Sequence, residues 1–323
     1  MKWRRRLELL SVLSVIGAGL CALLPLSPAA RPQSSQRPAV EAAESLGRPV
    51  RVGRLAHPAI RESSGIVASR RYRGVYWTMN DSSNPPQLFA INAAGELLRA
   101  VRLVGAENVD WEDIAADGSG KLYVADVGDN RRKRQVLTIY VLGEPDPRGT
   151  AAAAVEETCR FRYPRGHGPF DCEAMFVRKG WAYLITKQSL TARVYRVRLD
   201  GQAGQTAEAE YLGLLPEAAW VTAADISPDG RHIAVLSYTG VYVYDLPQAL
   251  EELVAAGTTS REAAPVQAVR VRPRKRTAAL GQAEAICWTD GAPAADLLIT
   301  NEQRQVFRLR SARPKQPTSA VQR

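Results

Sequence analysis

The chain reads as an all-β, five-bladed β-propeller closed by an N-terminal strand, and three observations carry that reading. First, one short segment recurs five times: Glu-Ser-Ser-Gly-Ile (62–66), Asp-Trp-Glu-Asp-Ile (110–114), Asp-Cys-Glu-Ala-Met (171–175), Thr-Ala-Ala-Asp-Ile (222–226) and Gln-Ala-Glu-Ala-Ile (282–286). Its spacing, about 50 residues, is that of a propeller blade. Second, each segment is followed by two more apolar, strand-like runs separated by polar turns. Third, the last repeat lacks its fourth strand, and a spare strand stands before the first repeat. Six blades are the alternative, if the long stretch 143–170 holds a degenerate one. The composition agrees: 323 residues, 46% hydrophobic and 24% charged, exclude a disordered, collagenous or coiled-coil chain.

The elements follow in order. The recurring segment is the innermost strand. The second strands are the runs at 75–79, 122–125, 182–185, 233–236 and 297–300, and the third are those at 87–91, 137–141, 193–197, 241–244 and 305–309. Turns such as Asp117-Gly118-Ser119-Gly120 and Asp229-Gly230 separate first from second strands. Fourth strands are expected at 96–103, 157–163, 207–214 and 265–272. Residues 48–56 (Arg-Pro-Val-Arg-Val-Gly-Arg-Leu-Ala) supply the missing strand, closing the ring without a free edge. Residues 248–256 read as a short helix inserted in blade four. Trp77, Trp111, Trp181, Trp220 and Trp288 fall mostly in repeat-equivalent strands and read as packing between blades.

The ends are of another kind. Met-Lys-Trp-Arg-Arg-Arg precedes an apolar run from Leu9 to Leu26 and the small residues Ser27 to Ala30, the layout of a secretory signal cleaved near Ala29. The run is also about long enough to span a bilayer, so residues 1–29 are a signal peptide or an uncleaved anchor. Either way the body is expected outside the cytoplasm: secreted, periplasmic or anchored on the outer side of a membrane. Residues 30–46 read as a flexible spacer, 47–310 as the propeller and 311–323 as a disordered basic tail. The net charge is +10, and Lys2, Arg4, Arg5 and Arg6 in the leader account for part of it.

Acids concentrate where the fold brings strands together. Counted back from the last residue of each segment, position −4 holds Glu62, Asp110, Asp171, Thr222 and Gln282, and position −2 holds Ser64, Glu112, Glu173, Ala224 and Glu284. Strand alternation puts both positions on one face. The loops after the second strands share that end and carry Asn80, Asp81, Asp126, Asp129, Asn130, Lys187, Tyr238, Asn301 and Glu302. Converging carboxylates without histidine suit Ca²⁺. The metal-ligand set is therefore Glu62, Asp110, Glu112, Asp126, Asp171, Glu173 and Glu284. Asn80, Asp81, Asp129, Asn130, Lys187, Tyr238, Asn301 and Glu302 are the ligand-binding set. The competing reading is structural, with acids bonding to neighbouring blades and Asn-Asp-Ser and Gly-Asp-Asn as ordinary turn formers.

Glu62-Ser63-Ser64-Gly65-Ile66, Asn80-Asp81-Ser82, Asp110-Trp111-Glu112-Asp113-Ile114-Ala115 and Asp126-Val127-Gly128-Asp129-Asn130 resemble the signatures of a bacterial secreted propeller family of unassigned activity. That family is similar in outline to the SdiA-regulated and phytase-esterase-like propellers. The resemblance covers about residues 48–310, and it implies a calcium-binding propeller outside the cytoplasm. The chain departs from the pattern at Ser83-Asn84-Pro85-Pro86 in blade one and at Ala224 in blade four.

Other chemistry finds little footing. The histidines are His57, His167 and His232, too few for a multi-histidine metal site. No Gly-x-Ser-x-Gly elbow is present. His167, in a loop leading to Asp171, is the acid/base candidate beside Glu112 and Glu173. Cys159 and Cys172 would close a short disulfide loop in an oxidising compartment, and Cys287 reads as a buried apolar residue. Basic runs at 131–134 and 270–276 lack the merged aromatic platforms that nucleic acid needs, so nucleic acid is not expected as a partner. The membrane enters only through the N-terminal segment, if uncleaved. The function expected is a binding or scaffold module at the cell envelope, with an envelope protein, a polysaccharide or a small ligand as partner. The alternative is a metal-dependent hydrolase of the esterase, lactonase or phosphoesterase type, with Glu112 or Glu173 taking a proton.

Overall fold

The computed structural model describes residues 46–200, 204–246, 250, 274–276, 280–290 and 296–310. The leader 1–29, the spacer 30–46 but for its last residue, the helix expected over 248–256 but for residue 250, the strand expected at 265–272 and the tail 311–323 lie outside the described residues.

Five sheets make five blades. Blade one is β2 (Ser63–Ala68), β3 (Tyr76–Asn80), β4 (Gln87–Ile91) and β5 (Leu97–Val104). Blade two is β6 (Trp111–Ala116), β7 (Lys121–Asp126), β8 (Leu137–Gly143) and β10 (Glu157–Arg162). Blade three is β11 (Cys172–Arg178), β12 (Trp181–Thr186), β13 (Ala192–Arg198) and β15 (Glu210–Leu215). Blade four is β16 (Val221–Ile226), β17 (His232–Ser237), β18 (Gly240–Asp245) and β19 (Arg274–Arg276). Blade five is β20 (Ala283–Trp288), β21 (Leu297–Asn301) and β22 (Gln305–Leu309), completed by β1 (Pro49–Arg54).

The closure is the one the spare strand predicts. β1 pairs antiparallel with β22, Pro49 opposite Leu309 and Arg54 opposite Gln305. Gly53 permits it, because a Cβ there would overlap the Ala94 carbonyl. The innermost strands touch in the order β2, β6, β11, β16, β20 and back to β2, so the ring is complete.

The stretch 143–170 holds no sixth blade. It carries β9 (Ala152–Ala154), which adds parallel to the outer edge of β5, and then β10. The strand expected at 207–214 is in fact two. β14 (Thr206–Glu208) adds parallel to β10 of blade two, and β15 returns to blade three. Buried Ala209 between them donates its N–H to the Arg162 carbonyl, 2.9 Å away, which pins the switch.

Each gap between adjacent blades is filled by its own apolar cluster, five in all. This is why the inner strands are buried on both faces and read as apolar runs. Trp77, Trp111 and Trp288 sit in these seams as expected. Trp181, half-buried, packs against the seam between blades three and four while Arg196 and Arg198 lie over its ring; only Trp220 departs from the expectation, at 44% exposed. Cys159, Cys172 and Cys287 are buried free thiols. The disulfide does not form, because Cys172 Sγ faces the Ile185 carbonyl of its own blade while Cys159 Sγ faces that of Arg198.

Candidate functional site

Every innermost strand carries a β-bulge at the same point, where it pairs with the end of the second strand. The bulged residues are Ser64, Glu112, Glu173, Thr222 and Glu284. A bulge locally re-aims its side chain, and repeated around a ring it turns such side chains towards one end of the channel. This register corrects blade four. Thr222 holds the place of Glu112 and Glu173, and Trp220 holds the place of Asp110 and Asp171. Ala224 lies two residues deeper.

Four of the five bulged residues, all but Thr222, line a cavity of about 420 Å³ at the channel mouth. Thr222 instead donates its hydroxyl to the Ala283 carbonyl of blade five at 2.9 Å. Ser64 does the same to the Glu112 carbonyl of blade two at 3.0 Å, and its hydroxyl also reaches Glu112 Oε2 at 3.2 Å. Glu62, Asp81, Asn130, Lys187, Tyr238 and Glu302 complete the rim, with Arg61 beside them.

Two overlapping carboxylate trios form here. Asp81, Asp110 and Glu112 make one, and Glu112, Asp171 and Glu173 make the other; within each, the ligand atoms lie within 4.8 Å of one another. Glu112 belongs to both. The close approach depends on Gly128, where a Cβ would overlap Glu112 Oε1 and stand 2.6 Å from Asp110 Oδ2.

The electrostatics follow from this crowding. Burial pushes the Asp110 carboxyl up to about 6, with Asp81 and Asp171 adding to it. Burial also raises Glu112 well above the usual range, reinforced by Glu173, Asp81, Asp110 and Asp171. Glu173 rises for the same reason, against the pull of Lys187. Glu284 is pushed by burial up to about 7 although Lys187 and the Tyr238 hydroxyl oppose the shift. Lys187 Nζ is the internal counter-charge on this side: it bonds Glu173 at 2.6 Å and Tyr238 at 3.1 Å, and Tyr238 in turn donates to Glu284 at 3.0 Å. The Asp81–Asp110–Glu112 side has no such cation in contact with it among the described residues.

Several residues expected at the mouth do other work. Asn80 Oδ1 accepts from the Arg61 and Glu62 N–H groups, and Asn301 Oδ1 accepts from that of Gln305. Asp126 takes the corresponding place in blade two, accepting from the Asp110 N–H and pairing with Arg134 at 2.8 Å. Asp129 accepts from the Lys133 and Arg134 N–H groups, while its own N–H reaches Asp171 Oδ1. These four shape the loops under the rim. His167 is not brought to the mouth: its Nδ1 is 2.8 Å from the Tyr195 hydroxyl, and the ring lies against Tyr195 and Tyr211.

The acid that sequence reasoning passed over is Asp113. Fully buried, its carboxylate accepts from the Ile114 N–H at 2.8 Å, the Met175 N–H at 2.9 Å and the Ala224 N–H at 3.2 Å. It ties three blades together. Asp225 repeats the device towards blade five, accepting from the Trp288 N–H at 2.8 Å. A signal was available: both acids sit inside otherwise apolar runs, where an unpaired carboxylate is not tolerated.

No protein-family model and no curated protein matches the chain. Among solved structures, it is similar to Myxococcus xanthus glutaminyl cyclase at 13% identity and a TM-score of 0.48, over 83% of this chain and 98% of that one. Kuenenia stuttgartiensis hydrazine synthase is similar at 11% identity and a TM-score of 0.44, over 77% and 72%. A nidogen/laminin complex is similar at 10% identity and a TM-score of 0.41, over 77% and 82%.

Proposed function

We propose that the chain is an exported binding module whose channel mouth holds a hard divalent cation, Ca²⁺, on Asp81, Asp110, Glu112, Asp171 and Glu173. The observation that carries the reading is the pair of carboxylate trios sharing Glu112. The donor set is all oxygen, which suits a hard cation and not a soft one. The fit is also steric, since the backbone at Gly128 is bare where the carboxylates press on it. Bound there, the ion would supply the positive charge that the crowded acids lack.

Export rests on the leader, and the partner is an envelope protein, a polysaccharide or a small ligand. Blade four adds an aromatic side to the acidic mouth, for Trp220 is 44% and Tyr238 42% exposed. Lys187 already lies over the Tyr238 ring at 4.8 Å, so an incoming group on that side is better neutral than cationic. A metal-dependent hydrolase would use the same ion, with Glu112 or Glu173 as the proton acceptor. It would differ in losing turnover, not merely stability, on Glu112→Gln.

The test is metal content and melting temperature of the purified protein with Ca²⁺ and with chelator. A bound ion and a melting temperature that rises with Ca²⁺ are expected. At a hundredfold excess over Kd the gain is about 2.7 kcal/mol. No ion and superimposable melts would sink the site. Gly128→Ala sharpens it: the added methyl must displace Glu112 and Asp110, so the Ca²⁺-induced shift should shrink, with overpacking costing about 1–3 kcal/mol besides. A Gly128→Ala protein with an undiminished Ca²⁺ response would place the ion elsewhere.

A further inference from the structure

Away from the mouth, a second cavity of about 320 Å³ opens at the junction of blades two and three. It is lined by Arg134, Gln135, Arg162, Tyr163 and the loop from Pro164 to Pro169. Four of its side chains are basic or basic-capable, Arg134, Arg162, Arg165 and His167, and no acid lines it. The three arginines come from separate elements: the loop after β7, the end of β10 and the loop leading to β11. Their convergence is thus a product of the fold and not of a basic run.

The opposing charge is incomplete. Arg134 is held by Asp126 at 2.8 Å and donates to the Gly128 carbonyl, also at 2.8 Å, through the same NH1, which leaves its other donors without a partner among the described residues. Arg162 meets Glu208 at 3.5 Å, with both side chains about half exposed, a pair of little energetic worth. Arg165 is exposed and has no acid within ion-pair distance among the described residues. Three guanidinium groups therefore answer to two carboxylates.

The walls are preformed. Gly166 and Gly168 take left-handed backbone conformations, and a Cβ on Gly168 would stand 2.8 Å from the Tyr163 ring, so the loop is packed down on that ring. Tyr163 is held edge-on by Phe170 at 5.4 Å and Tyr195 at 4.8 Å. His167 is oriented by the Tyr195 hydroxyl at Nδ1. In the tautomer that accepts there, its proton sits on Nε2, which remains available as a donor.

We propose that this cavity binds an oxyanion, a phosphate monoester or a carboxylate, on Arg162, Arg165 and His167 with Arg134 behind them. Guanidinium forks match both anions, so the two share one recognition chemistry. The cavity shares no lining residue with the mouth.

Calorimetric titration of the full chain with inorganic phosphate, and separately with malonate, tests it. Saturable binding of either is expected, and which of the two binds tells phosphate from carboxylate. The double variant Arg162→Ala/Arg165→Ala should weaken binding by about tenfold or more, the loss of charge-assisted hydrogen bonds. Both residues are exposed, so folding is spared, which a thermal melt checks. Glu208→Gln should tighten binding a few-fold by freeing Arg162. Glu112→Gln should leave it unchanged. Absence of saturable binding for both anions would overturn the proposal. So would indifference to the double variant, or loss on Glu112→Gln, which would show the anion captured through the mouth.

Discussion

Replacing Asp113 by Ala is expected to destabilise the propeller by about 2–6 kcal/mol, more than any change at the mouth. The reason is the bonds it receives. Met175 and Ala224 belong to blades three and four, and their N–H groups end on the one Oδ2 of Asp113. Without it, both donors are left buried and unpaired, at about 1–3 kcal/mol each. Gly65 presses from blade one as well, since a Cβ there would stand 2.8 Å from the Asp113 Cα. Burial pushes the Asp113 carboxyl above its usual range while the three N–H groups, which bond best to the carboxylate, pull it back. Asp113→Asn should fall between wild type and Ala, because its amide oxygen still accepts but its NH₂ confronts a backbone donor. Asp225→Ala should cost less, having one cross-blade N–H to strand. Urea midpoints measure all three. An Asp113→Ala loss no larger than that of an exposed control such as Ser119→Ala would show that the blades are held by apolar packing alone.

Asp113 also marks where the sequence stopped being legible. The repeat, the strand order within each blade and the closing strand could be read because each rests on period-two alternation and turn residues, which are local. The register of blade four could not. Thr-Ala-Ala-Asp-Ile aligns with its sisters by its final Ile, but the bulge at Thr222 puts that Ile two residues further on. A slip of two residues preserves the in-and-out alternation, so hydrophobicity cannot reject it. The consequence was to place Thr222 where Trp220 stands and Ala224 where Thr222 stands. Bulges, inter-blade N–H partners and the splitting of 206–215 between two blades are long-range properties. So is the fate of Asn80, Asp126 and Asn301, which occupy equivalent second-strand ends and serve the backbone there. The gathering of acids at one mouth was legible because four of the five repeats each contribute acids to it. His167 was misplaced because nearness in sequence to Asp171 is not nearness to the mouth.

The second large effect concerns pH, and its sign is opposite to that of ordinary acid denaturation. With the cation chelated, the folded protein retains protons on Asp110 to about pH 6 and on Glu284 to about pH 7. Unfolded carboxyls have released theirs at about pH 4. The folded state therefore binds more protons across this window, and its stability is full below about pH 4 and falls as pH rises through 6 to 7. Each tenfold difference in proton affinity between the folded and unfolded states is worth about 1.4 kcal/mol. With both carboxyls discounted for the solvent around them, the loss is about 3 kcal/mol. Mostly buried Glu284 contributes the larger share. Ca²⁺ at the proposed site should reverse the trend, since it would take the deprotonated carboxylates and drive their protons off. Stability curves with Ca²⁺ and with chelator should meet near pH 4 and separate steadily towards pH 8. Glu112→Gln should split the two effects. It removes the acid common to both trios and relieves its repulsion with Glu173, Asp81 and Asp110. The chelated variant should therefore be more stable than chelated wild type at pH 8, yet gain little from Ca²⁺. A site kept at a cost in stability is what a binding function requires and a structural link does not. Chelated wild type that instead gains stability from pH 4 to 8, or a Gln variant with the full Ca²⁺ response, would mean that the mouth carboxylates serve the blades and not an ion.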